Sequence, residues 1–292
     1  MTLRIDKTRL GLIGISALPL LIGAGLGTMV LSSEALSDIL ANNAAPISLE
    51  NLILQAVISI GLGSFVVFAL FWTIQRQGAR ARRAIVAFVV SPILTASFFL
   101  LGQSILLIIL KGTTDSILPS LLSFLSLGVL LLSFIFIMMD SIPTTMRNLF
   151  VAFYGSVFGT FLGIIFVTAT MFVLVLSVVL EDYFLTRYSP ATDEEYLIDK
   201  AGSDPFDFTR IESETAAVGV GDYIAFSLIS VHALVFFPFH VWAMSILMAL
   251  VGIFINVTFI AKEGEVLPGI PLPAILALVP WIIHIATLSL IH

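Results

Sequence analysis

The sequence contains no cysteine and few charged residues, and both absences narrow what the protein can be. Without cysteine there is no disulfide, no thiol nucleophile and no Cys-ligated metal site. Only 11% of the residues are charged, whereas a soluble domain normally carries about a quarter. No basic run with interleaved aromatic side chains points to nucleic acid. With 59% hydrophobic residues and a mean hydropathy of +1.12, the composition is that of an integral membrane protein.

Patterns typical of metal sites and of serine proteases are also missing. The zinc-protease motif His-Glu-x-x-His does not occur, and no serine forms a Ser/His constellation. The histidines lack the spacing of a metal site; they are His232, His240, His284 and His292. We therefore expect neither a metal nor a cofactor.

Long apolar runs fill most of the chain. Crossing a bilayer takes about 20 apolar residues, and the sequence predicts an all-α, polytopic protein with nine transmembrane helices in a single membrane-embedded domain, 1–292. Spans one to six occupy roughly 11–187 and spans seven to nine roughly 217–291. The predicted spans are 11–32, 52–75, 84–110, 117–139, 149–164, 166–187, 217–238, 241–261 and 267–291.

The fifth and sixth spans form one nearly continuous apolar run over 149–187. A single helix of that length would measure about 58 Å at 1.5 Å per residue. The hydrocarbon layer is only about 30 Å thick. We therefore expect a break, with Gly159, Gly163 and Thr168 as candidate positions.

Basic residues fix the expected orientation. With nine spans, every Lys and Arg except Lys111 falls on one side of the membrane, and that side is normally the inner one. The N-terminus is therefore expected inside and the C-terminus outside. The first apolar stretch is longer than the core of a usual signal peptide, which favours an uncleaved first span.

One substantial polar segment, 189–215, separates the sixth and seventh spans. It holds eight acidic and two basic residues, so its balance of −6 equals the net charge of the chain. Its charge and its Pro and Gly content predict a solvated, partly disordered inside loop. The acidic spacing lacks the EF-hand pattern of a calcium loop.

Two aspartates stand where apolar spans end. Asp182 lies near the end of the sixth span and Asp222 near the start of the seventh. An ionisable side chain at membrane depth is costly and usually functional. Consecutive antiparallel helices are normally neighbours, so the two carboxylates are expected to meet near the inner face. Such a pair shares one proton; one carboxylate can then activate water while the other protonates a carbonyl oxygen, as amide hydrolysis requires.

Glycines and prolines flank this pair. Gly219 and Gly221 precede Asp222, and their missing side chains permit close approach of a partner helix or of a substrate backbone. At the start of the last span, Pro268, Pro271 and Pro273 remove three backbone donors. This segment is either a helix entrance or irregular backbone beside a cavity, which membranes tolerate only where protein or water borders it.

These motifs together resemble the presenilin and signal-peptide-peptidase family, most closely its archaeal presenilin homologues. The family pattern has an aspartate on span six, Gly-x-Gly-Asp on span seven and Pro-Ala-Leu at the last span. The matching residues here are Asp182, Gly219-Val220-Gly221-Asp222 and Leu267-Pro268-Gly269-Ile270-Pro271. Glu181 stands where the family has tyrosine, with Tyr183 on the other side of Asp182. Glu181 lies about 100° around the helix from Asp182, and we expect Asp182 to be the first catalytic group.

The resemblance implies an aspartic endopeptidase that cleaves single-span transmembrane substrates within the membrane. Asp182 and Asp222 would be catalytic, with Tyr183, Gly219–Gly221 and Leu267–Pro271 in support. The expected location is the cell membrane as a multi-pass protein in contact with lipid, and the oligomeric state stays open. The residues alone leave three alternatives: an ion- or proton-coupled transporter or channel, a prepilin-type peptidase, and a catalytically inactive interaction protein.

Overall fold

The computed structural model describes residues 7–32, 79–110, 117–188, 205–212, 217–261 and 268–291, together with a few positions between 50 and 65. Nearly all of these residues are helical. The α-helices are α1 (Lys7–Leu31), α2 (Ala79–Leu110), α3 (Leu118–Met139), α4 (Thr144–Ile165), α5 (Thr168–Tyr188), α6 (Val220–Phe236), α7 (Phe239–Ile255) and α8 (Pro271–Ile291). A 3₁₀-helix (Pro205–Thr209) and two short strands, β1 (Arg210–Glu212) and β2 (Ala217–Gly219), precede α6, and α7 ends in a π-helical turn, Asn256–Ile260.

Six of these helices are long and apolar enough to cross a membrane, judged by length and composition. They are α1, α2, α3, α4, α8 and α7 with its π-helical turn, whereas α6 is apolar but has only 17 residues. The chain therefore has the helical build of a membrane protein. The second predicted span, 52–75, falls almost entirely outside the described residues.

The break expected within 149–187 lies at Phe166 and Val167. Phe166 is extended and ends α4, and α5 begins at Thr168. Gly159 and Gly163 are therefore helical. His232 of α6 lies across the break, with its Nδ1 2.7 Å from the carbonyl oxygen of Gly163 and its Nε2 3.1 Å from the hydroxyl of Thr168. A carbonyl only accepts, so Nδ1 donates to Gly163 and Nε2 accepts from Thr168.

Two predictions about the stretch before α6 are wrong. Residues 217–219 were expected to start the seventh helix, but they form β2, and α6 begins at Val220. The segment 205–212 was expected to be solvated, yet Asp207, Phe208 and Ile211 are buried. Antiparallel pairing accounts for the strands, because Arg210, Ile211 and Glu212 lie opposite Gly219, Val218 and Ala217. The burial of Asp207 and Phe208 comes from packing of the 3₁₀-helix against α2 and α4. The fold is thus helical with one small hairpin; the rest of 189–215 lies outside the described residues.

Helix α6 packs closely against α4, because glycines on α4 remove the side chains between them. A methyl group at Gly159 would lie 2.3 Å from the carbonyl oxygen of Ile224, and one at Gly163 would lie 2.6 Å from that of Leu228. Gly155 meets Val220 and Tyr223 in the same way, at 2.9 Å. Small residues at this spacing let two membrane helices approach backbone to backbone.

Helix α6 is also hydrogen-bonded to α1 near a proline. Pro19 has no N–H, so the carbonyl of Ile15 lacks its usual helical donor. The Tyr223 hydroxyl supplies that bond at 2.8 Å. Ser227 donates to the carbonyl of Pro19 at 2.9 Å, which fixes α6 beside α1 at a second level. Contacts with α1 and α4 therefore hold α6, the helix that carries Asp222, on two sides.

The larger hydrophobic core surrounds the other faces of α6. Most of its residues belong to α5, α6, α7 and α8, and Phe226, Ile229 and Trp281 are fully buried within it. Trp281 donates its indole N–H to the Ser245 hydroxyl at 3.1 Å, and Ser245 donates to the carbonyl of Ala277 at 2.6 Å. The buried polar atoms of Trp281 and Ser245 are thereby paired, as burial requires.

Candidate active site

Asp222 lies in the first turn of α6, immediately after the hairpin. Gly219 is the N-cap of this helix, and the Asp222 carboxylate accepts a hydrogen bond from its backbone N–H. This is the returning half of a capping box, in which an acidic residue at the third helical position binds the N-cap amide. The helix dipole also favours a negative charge at this end. Both interactions hold the carboxylate at the beginning of α6.

Asp182 lies on α5 and binds the backbone of the segment before α8. The N–H of Ile270 donates to Oδ2 of Asp182 at 3.1 Å. Glu181 is half-buried and has no hydrogen-bond or ion-pair partner within the described part of the chain. Of the two neighbouring acids, Asp182 is thus the one that contacts the Pro-Gly-Ile segment, which is Pro268-Gly269-Ile270.

The two aspartates meet at two consecutive residues, Gly269 and Ile270. A methyl group on Gly269 would lie 2.6 Å from Oδ1 of Asp222 and 2.9 Å from Oδ2, so the Asp222 carboxylate rests against the glycine backbone. The next residue, Ile270, binds Asp182. The carboxylates are close enough to interact electrostatically, and both are half-buried. The structure therefore brings together the three motifs that lie on separate spans in the sequence.

Asn256 holds the Pro-Gly-Ile segment from the other side. Its side-chain N–H₂ donates to the carbonyl of Gly269 at 3.2 Å and lies 3.5 Å from that of Pro268. Asn256 is buried and begins the π-helical turn after α7. Sequence reasoning missed this residue. The signal was a lone asparagine in an apolar span, where a buried amide needs a partner.

The remaining predicted site residues have varied environments. Tyr183 is 37% exposed, and its ring is edge-on to Phe184. Val220 packs against Gly155 of α4. Pro271 is the first residue of α8, where a missing N–H costs no helical hydrogen bond. Leu267 lies outside the described residues.

Close helix packing does not explain the glycines of Gly-x-Gly-Asp. A methyl group at Gly219 would approach nothing closer than Asp222 at 3.8 Å, and one at Gly221 would lie 3.8 Å from Ile270. Both residues are exposed. The close contact that needs glycine is instead at Gly269, beside the Asp222 carboxylate.

The arrangement supplies two carboxyl groups with partial access to water and fixed backbone partners. This is a sufficient set for general acid and base chemistry on a carbonyl group. Within the described part of the chain, no three His, Asp or Glu side chains are grouped so as to hold a metal ion.

Comparisons with known proteins add no family to this geometry. No protein-family model matches the sequence, and no curated protein is significantly similar to it.

Proposed function

We propose that the chain is an intramembrane aspartyl protease that hydrolyses peptide bonds within transmembrane helices. One observation carries the proposal: Asp182 and Asp222, from different helices, contact the consecutive residues Ile270 and Gly269. An acid pair built onto one backbone segment is suited to a reaction that needs an acid and a base at once. The presenilin-like order of the three motifs supports the same function.

In the proposed reaction, a water molecule lies between the two carboxyl groups, which together hold one proton. The ionised carboxylate takes a proton from the water as it attacks the peptide carbonyl carbon. The protonated carboxyl group gives its proton to the carbonyl oxygen, forming a neutral tetrahedral intermediate. Proton transfer to the amide nitrogen then allows the C–N bond to break, leaving a new carboxyl and a new amino terminus.

A helical substrate has to unwind locally, because its amide groups are otherwise hydrogen-bonded within the helix. The unwound backbone then needs new partners. Within the described residues β2 pairs only with β1, so its other edge is available beside Asp222. The irregular segment 268–270 lies at the same place. Strand addition at such an edge is a common way to hold an extended peptide.

The proposal includes the membrane arrangement expected from the sequence, with nine spans, an inside N-terminus and an outside C-terminus. The six helices long enough to cross a membrane support it in part, and the basic residues supply the orientation. Substrates would be single-span membrane proteins, reached through the lipid.

Cleavage of a fluorescent single-span reporter by the purified protein in lipid vesicles tests the function. Asp182→Asn and Asp222→Asn keep the side-chain shape, and each is expected to lower kcat by at least about 100-fold. Glu181→Gln is the matched control, since it removes the adjacent acid, and it is expected to keep most of the activity. Unimpaired cleavage by either asparagine variant would refute the acid pair.

The rival transporter function predicts a different result in the same vesicles. A proton- or ion-coupled transporter would move protons across the membrane, as reported by a pH-sensitive dye inside the vesicle, and would leave the reporter intact. Loss of that flux in both aspartate variants, with no cleavage by the parent protein, would replace the protease with a transporter. Cleavage confined to a basic leader beside the membrane would instead favour a prepilin-type peptidase.

A further inference from the structure

A network of four charged side chains fastens the segment 205–212 to the beginning of α4. Arg147 of α4 lies 3.1 Å from Asp207 and 2.6 Å from Glu212. Arg210 lies 2.6 Å from Asp207 and 2.8 Å from Glu212. Each carboxylate therefore meets both guanidinium groups, and the charges sum to zero. The side chains of Arg147 and Asp207 are 2% and 1% exposed, so water does not screen this pair.

Neutral contacts reinforce the network from the same helix. The Asn148 side chain donates to the carbonyl of Glu212 at 2.7 Å and accepts from its N–H at 3.0 Å. Two turns later, the Tyr154 hydroxyl donates to the carbonyl of Phe208 at 2.7 Å. Asn148 thus occupies backbone groups of β1 that face away from β2, and α4 holds the segment along its length.

The network is connected to Asp222 by the register of the hairpin. Arg210 lies opposite Gly219 in the antiparallel pair, and Gly219 is the N-cap whose N–H binds Asp222. No residue separates β2 from α6. A shift of the segment 205–212 therefore moves the amide that holds the Asp222 carboxylate.

We infer that Arg147 is a positioning residue for Asp222, acting through the hairpin without touching the substrate. The inference rests on the proposed function, in which the two carboxyl groups need a fixed separation. A planar guanidinium suits this task, because it binds two carboxylates at once in a rigid geometry. Arg147 determines where β1 lies, β1 determines the position of Gly219, and Gly219 orients the acid.

The test compares Arg147→Met with Arg83→Met in the full chain. Arg83 forms a 2.9 Å ion pair with Asp140, at the end of α3, and so serves as a matched arginine whose ion pair lies outside the hairpin. With the reporter, Arg147→Met is expected to lower kcat about tenfold to 100-fold per folded molecule, with KM changed by less than about twofold. Arg147→Lys keeps the positive charge but lacks the planar guanidinium that binds two carboxylates at once, and it is expected to recover part of kcat. Arg83→Met is expected to match the parent.

Hydrogen exchange provides a readout that does not depend on proteolysis. Arg147→Met is expected to speed exchange of the amides of 217–224 by at least about tenfold while leaving those of α8 unchanged. A variant that only lowered the folded fraction would speed exchange everywhere and would leave kcat per folded molecule unaltered. If Arg147→Met does not fold, Arg147→Lys replaces it, with changes in the same direction and of smaller size.

The outcomes separate this inference from the proposed function. Unchanged exchange at 217–224 together with unchanged kcat would overturn the positioning role, while Asp222→Asn still reported on the protease. Local loosening at 217–224 in a protein that cleaves no reporter would uphold the link from Arg147 to the hairpin and reject the protease.

Discussion

At the scale of single residues, the site depends on Gly269, because this position has no room for a side chain. A methyl group there would lie 2.6 Å from Oδ1 of Asp222. Carbon and oxygen atoms in ordinary contact are roughly 3.3–3.6 Å apart. Any side chain at 269 therefore displaces the acid or the segment. The glycine is needed for space, since the backbone of Gly269 does not have the positive φ that would favour glycine.

Gly269→Val is accordingly expected to lower kcat by about 100-fold, since an acid displaced by about 1 Å loses its alignment. Gly269→Ala should be intermediate, because its single methyl group can be accommodated by a smaller rotation of Asp222. Gly128→Val, at a position with nothing within 4 Å, is the control for a glycine replaced in a membrane helix. The measurement is reporter cleavage normalised to folded protein, and a Gly269→Val enzyme as fast as the parent would contradict the packing argument.

At the scale of elements, the segment 205–212 should respond to pH through its two carboxylates. Burial and the neighbouring Glu212 raise the pKa of Asp207 to about 6, against the opposing pull of Arg147 and Arg210. Burial also acts to raise the pKa of Glu212, but the hydrogen bond from Arg210, with Asp207 and the nearby guanidinium charges, lowers it overall.

The opposite signs of the two pKa shifts define a pH at which the segment 205–212 is most stable. Because the pKa of Asp207 is raised in the folded state, its contribution to the stability of the segment is complete below its usual pKa of 3.8. That contribution is lost as pH rises through about 6. The pKa of Glu212 is lowered, so its contribution to stability is present above its usual pKa of 4.5 and is lost on acidification. Exchange protection of 205–212 and 217–219 should therefore be greatest near about pH 5 and lower at pH 7. Asp207→Asn should flatten the decline above pH 5, and protection rising steadily from pH 5 to 7 would contradict this assignment.

The elements also show what the sequence does and does not predict. Apolar runs located the described helices to within a few residues, because a membrane helix is specified by local composition. The hairpin was not predictable in this way, since strands of three residues carry no usable alternation. Arg147 pairs with Glu212 across 65 positions, and no local pattern reports such a contact. Asn256 was recognisable as a lone asparagine in an apolar span, but its partner was not, because Gly269 lies beyond the end of its own helix.

At the scale of the whole molecule, the absence of cysteine makes the proposed orientation directly measurable. Single cysteines at Ala41→Cys, Ser203→Cys and His292→Cys would each be the only thiol in the chain. With nine spans and an inside N-terminus, an impermeant maleimide added to right-side-out vesicles should label positions 41 and 292 but not 203. Position 203 should react only after the membrane is opened. The reverse pattern would invert the orientation, and labelling of 41 and 203 alike would require a different number of spans.

The helix break at Phe166 gives the molecule a mechanical property. At one end of the pair, α5 and α6 meet at Ile270 and Gly269, and at the other end His232 ties α6 to Gly163 and Thr168 on both sides of the break. The two helices α5 and α6 are thus connected at both ends. They can bend between these points but cannot slide past one another by a helical turn. If the proposed protease function holds, a substrate helix is expected to enter between a different pair of helices, because α5 and α6, which carry the acid pair, are connected on both sides.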